Sequence, residues 1–201
     1  MNLRAVSASD DRPQLQAKPP ARAVGVFAAA DFARARNLVD DVSAFADHAD
    51  WLDAREGLHM ALFMSGVDLP IVNVDLRSFV RWCDISRALR NTASLDEFAA
   101  LTVDYRCGRL PRVLAAIDEF DFSHFNCRIE ALADYGDFST WTVHRNRVRA
   151  NATTAGNVHE LRVPLSEFVD WCACLALGES EPALDRFAQL TLEELVSGLA
   201  A

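Results

Sequence analysis

The chain has 201 residues, of which 51% are hydrophobic, with 29 Asp and Glu against 20 Lys and Arg, a net charge of −9 and a mean hydropathy of +0.03. That length supports one large domain or two small ones around a real core. The acidic field works against nucleic acid or an anionic membrane as partner, and is compatible with a basic protein.

Residues 1–22 hold three prolines and no periodicity, and read as a disordered tail. The chain's only lysine, Lys18, lies there. A Schiff-base lysine, a lysine general base and a P-loop lysine are thereby excluded from the folded body. An apolar run at 23–28 reads as a short strand. Asp31 then opens a helix whose stripe of Ala35, Leu38, Val42, Phe45, Ala49 and Leu52 continues unbroken.

After Gly57, "LHMALFM" (58–64) is a strand candidate and "SGVDLP" a turn. "IVNVDL" (71–76) alternates as a strand. A helix carrying "FVRWC" (79–83) follows, and Ser94 with Glu97 forms a capping box for the next. "YRCGRLPR" (105–112) is a connector and "VLAAIDEF" (113–120) a short helix. "CRIEALADYG" (127–136) fits helix or strand equally. "STWTVHRNRVRA" (139–150) reads as a strand, "NATTAGN" as a loop and "VHELRVPL" (158–165) as a second alternating strand. The helix with "FVDWC" (168–172) stops at Gly178, and two short helices close the chain, the last opened by Thr191 and Glu194.

A shift of 89 residues aligns Val74–Thr102 with Val163–Thr191 without a gap, giving 12 identities over 29 positions. Leu76, Phe79, Val80 and Cys83 fall at i, i+3, i+4 and i+7, so the conserved-between-copies residues are those a helix buries. Arg81 faces Asp170 in the alignment, and the exposed face changes freely. The fold expected is α+β: two similar units, each a β-hairpin followed by helices, arranged as an internal pseudo-twofold duplication. The units are 23–110 and 111–201, within one compact domain or as two.

Chemistry is sparse. The cysteines (Cys83, Cys107, Cys127, Cys172, Cys174) are odd in number and lack disulfide-framework spacing; with no signal-peptide core or membrane-length apolar run, a reducing cytoplasm is expected. Cys107, His124 and Cys127 lack the two tight ligand pairs of a structural zinc site, so neither metal nor cofactor is expected. The glycines stand singly, which excludes a dinucleotide fingerprint.

Arg145, Arg147 and Arg149 alternate, so a strand would align three guanidinium groups on one face, with His144 on the other. Such a row can bind phosphate or carboxylate, or pair with neighbouring acids. Cys107, beside Arg106 and Arg109, is the thiol best placed for activation. Residues 163–201 carry seven acids and one base, whereas the matched first copy is richer in arginine.

The function expected is that of a non-catalytic bacterial accessory or regulatory protein (immunity, antitoxin or chaperone-like) acting through a protein partner or as a homodimer. The alternative is an enzyme or small-anion-binding protein with a site in the groove between the halves, built from Arg145, Arg147, Arg149, His144 and Cys107.

Overall fold

The computed structural model describes residues 22–154 and 156–198. The expected tail lies outside them, Arg22 excepted. Strand β1 (Val24–Val26) leads to helix α1 (Ala29–Leu38), a single 3-10 turn (Val42–Ala44) and helix α2 (His48–Met64). Strand β2 (Ile71–Asn73) lies parallel to β1 and is followed by α3 (Leu76–Ser86) and α4 (Thr92–Arg106). The second half places three helices between its two strands and two after them. It comprises β3 (Arg112–Ala116), α5 (Glu119–Phe125), α6 (Glu130–Ala133) and α7 (Phe138–Thr153). Then come β4 (Val158–Arg162), parallel to β3, α8 (Leu165–Leu175) and α9 (Glu181–Ser197). Helices with two small sheets make the class α+β.

Neither half begins with a β-hairpin. Each pair of strands is parallel, and parallel strands need a crossover, here supplied by helices. Leu58–Met64, expected as a strand, is instead the last part of α2. Asp47 caps that helix by accepting from the Asp50 amide, and Leu, Met and Ala carry it through Gly57, which is exposed. The continuous 31–52 stripe breaks at Val39, whose extended backbone ends α1.

Val113–Ala115, expected as a helix, forms β3: all three are buried, and a fully buried strand reads as an unbroken apolar run. The segment 139–150 is helical, opened by the Asp137 cap on the Thr140 amide, with Trp141, Arg145 and Ala152 inward. Asn91, not Ser94, caps α4. One helix, α9, replaces the two expected at the end, and Thr191 sits inside it with its hydroxyl donating to the Phe187 carbonyl.

The FVxWC helices carry the same packing twice. Phe79, Trp82 and Phe98 form an aromatic trio with centroids 6.3, 6.1 and 5.5 Å apart. Phe168, Trp171 and Phe187 form another, at 6.3, 5.9 and 5.5 Å. Both helices end in a left-handed residue that is not glycine, Arg87 (φ 59°) and Ala176 (φ 52°). Cys83 and Cys172 are buried against the turns that follow, near the carbonyls of Leu89 and Gly178. Burial pushes the Cys83 thiol up to about 12 and raises that of Cys172.

One core runs through both halves. Across the boundary α4 packs on α9, and α3 packs on α9 and β4. Helix α8, which carries FVDWC, packs chiefly on its own neighbour α9. Trp82 is therefore fully buried, stacked on His159 at 6.0 Å, whereas Trp171 is half-buried and Leu175 and Leu177 are exposed. Arg81 bridges the halves, 3.3 Å from Glu167.

Candidate functional site

In a two-stranded parallel sheet every second residue points its amide and carbonyl away from its partner strand, and those groups need other partners. In β1 that residue is Gly25. Its amide donates to Asp96 of α4 at 2.8 Å, and its carbonyl accepts from Arg55 of α2 at 3.2 Å. Arg55 also pairs with Asp96. An added Cβ on Gly25 would lie 2.8 Å from the Leu95 carbonyl oxygen, so only glycine permits this approach to α4.

The same device caps β3. The Ala115 amide donates to Asp185 at 2.9 Å, the Ala115 carbonyl accepts from Arg145 at 2.9 Å, and Arg145 meets Asp185 at 2.5 Å. Gln189 accepts from the Val113 amide. The outer edges of β1 and β3 are thus each closed by an arginine and an aspartate in place of a third strand.

This geometry locates the sequence-derived site residues. Arg145 is buried beneath α9, over Trp141, and also bonds Glu181 at 2.5 Å. His144 meets the same carboxylate at 3.0 Å. Burial raises the Glu181 carboxyl pKa, but hydrogen bonds from Arg145 and His144 outweigh it and hold the group below the usual range. Arg149 lies against Glu160 at 2.8 Å, and Arg147 is exposed. On a helix the three arginines do not share a face. Cys107 is exposed at the end of α4. The structure brings His144 and Arg145 together on one acid and assigns Arg149 to another. Among the described residues no group of three or more His, Cys, Asp and Glu side chains converges on a metal-sized site.

Two other features stand out. A cleft of about 510 Å³ opens where α2 and α4 of the first half meet the connector and the start of β4. Its lining includes Leu62, Val67 and Leu69, Ala100 and Leu101 of α4, and Val158 with His159, together with the charged Arg22 and Glu97. Asp104, buried in its wall, pairs with Arg109 at 3.2 Å. Burial lowers the His159 pKa, and the ring Nε2 is buried without a hydrogen-bond partner among the described residues. Burial also raises the Asp96 carboxyl against the pull of the Gly25 amide and Arg55.

The second feature is the C-terminal half of α2. Leu58, Met60, Phe63 and Met64 are exposed there, Met64 by 80%. Asp53 and Glu56 precede them on the same helix, also exposed. Sequence inspection assigned 58–64 to a strand, and so missed this face. It also missed the arginine–aspartate caps, although the match of Asp96 to Asp185 was their trace.

Searches against protein-family models, curated proteins and solved structures return no significant match to this chain.

Proposed function

We propose that this chain is a non-catalytic interaction protein that binds a basic protein partner through the C-terminal half of α2. The observation that carries this is the exposure of Met60, Phe63 and Met64 on one side of the helix, with Leu58 exposed on another. Large apolar side chains clustered at a surface gain free energy when a partner covers them, and a charged rim selects the partner. The rim is acidic: Asp53, Glu56 and Asp68 are all exposed. Two copies meeting through this face would bring those acids together, so a basic partner is favoured over a homodimer. An accessory role of the immunity, antitoxin or chaperone kind fits such a surface. A reducing cytoplasm as its setting is supported by three exposed free thiols, Cys107, Cys127 and Cys174.

The frame for this surface is, on this proposal, a duplicated strand–helices–strand–helices unit, 23–110 and 111–201. The 89-residue register, the paired aromatic trios and the paired edge caps support it. Its pseudo-twofold form draws less support, because α3 and α8 make different contacts across the halves.

The test is affinity capture from native lysate with the wild type and a Phe63→Asp/Met64→Asp variant, at low and high salt. The expected result is a stoichiometric basic partner, weakened by salt and lost with the double variant. No stoichiometric partner, or one that the variant retains in full, would remove the proposal. Size-exclusion chromatography of the pure protein separates the homodimer case.

A further inference from the structure

The cleft between the halves is separate from the exposed face of α2, and its chemistry differs. Its volume, about 510 Å³, lies inside the range of roughly 300–1,000 Å³ typical of small-molecule sites. Its sides are apolar, from Leu62, Val67 and Leu69 across Ala100 to Val158.

Of the charged groups that line it, Arg22 and Glu97 are exposed, whereas the more buried carboxylates already have partners. Asp96 is bound by Arg55 and the Gly25 amide, and Asp104 by Arg109. His159 is held uncharged at neutral pH by burial. A charged ligand group placed beside Asp96, Asp104 and His159, away from Arg22 and Glu97, would leave water without finding a new counter-ion, which is costly. Among the lining residues, His159 has a buried ring atom, Nε2, without a partner among the described residues, on a ring stacked against Trp82. Depending on its tautomer, that nitrogen donates or accepts a single hydrogen bond.

We propose that this cleft is a binding site for an uncharged, largely apolar small molecule that carries one hydrogen-bonding group. The apolar body fills the space between Leu62, Leu69 and Val158, and the polar group meets His159. Ala100 leaves the space open; a larger side chain there would occupy the ligand's place.

The inference does not depend on the α2 face and is tested separately. Three matched probes, naphthaleneethanol, naphthylethylamine and naphthylacetate, are titrated by calorimetry into the wild type, Ala100→Phe, Glu97→Gln and His159→Phe. The alcohol is expected to bind at least tenfold more tightly than either charged probe. Ala100→Phe should abolish that binding, His159→Phe should weaken it severalfold, and Glu97→Gln, at an exposed position, should leave the order unchanged. A melting curve establishes whether each variant is folded. If Ala100→Phe is not, the probe order on the wild type and on Glu97→Gln decides alone. Tightest binding by the amine with loss of that preference in Glu97→Gln, tightest binding by the acid, or saturation by none of the three would each overturn the proposal.

Discussion

Arg145 and Asp185 meet at 2.5 Å beside strand β3, and each also holds one polar group of the Ala115 backbone. The side chains are 9% and 17% exposed, so the pair is largely shielded from water. Removing Asp185 leaves the Ala115 amide unsatisfied, while Arg145 keeps Glu181 at 2.5 Å as a partner. Asp185→Ala is expected to cost about 1–3 kcal/mol in a urea melt. A loss under ~1 kcal/mol for Asp185→Ala would show that the pair does not close the strand edge.

The left-handed residues that end α3 and α8 are Arg87 and Ala176, where an L side chain crowds its own carbonyl. Both are exposed, so glycine loses no packing there. Arg87→Gly and Ala176→Gly are each expected to stabilise the protein by about 0.5–1 kcal/mol, despite the greater freedom glycine gives the unfolded chain. Thermal melts at matched concentration check this. Destabilisation by both would mean that the helix ends are held some other way.

His159 titrates below the ordinary histidine value of about 6.5, because burial opposes its charged form. The unfolded chain therefore binds more protons than the folded one just below that value. Stability contributed by neutral His159 is present above pH ~6.5 and declines as pH falls toward the depressed folded value. His159→Phe should flatten the slope of stability against pH in that window. An unchanged slope in the variant would assign the pH dependence elsewhere.

Cys83 and Cys172 are buried, and burial raises both thiols, whereas Cys107, Cys127 and Cys174 are exposed. A thiol reagent at mildly alkaline pH should label three cysteines rapidly in the native protein and all five in denaturant. Mass spectrometry of the peptides identifies which. Rapid native labelling of Cys83 would contradict its place on the buried face of α3.

The aromatic and aliphatic packing was legible in the sequence because helical periodicity and the 89-residue register both mark it. Phe79, Cys83, Phe168 and Cys172 are buried where the stripe places them. The strands were harder. Val113–Ala115 is buried on every side and so shows no alternation, while the arginines of 145–149 alternate by chance on a helix. Parallel pairing was invisible because the partner of β1 lies two helices downstream. Arg55 and Arg145 escaped the alignment because their spacing differs by one from that of Asp96 and Asp185. The cleft could not be read at all. It is assembled from α2, α4, the connector and β4, whose proximity only the tertiary fold creates.

The placement of α9 has a kinetic consequence. Strand β3 is made some 70 residues before Asp185, the group that takes up its outward amide at Ala115. While the polypeptide emerges from the ribosome, helices of the first half can pack locally, but the β3 edge stays open until residues 181–197 arrive. A chain stopped before Asp185 keeps an unpaired apolar edge strand, the kind of surface that recruits a neighbouring chain. Completion of the final helix is therefore the step that separates a nascent chain prone to aggregation from a closed one.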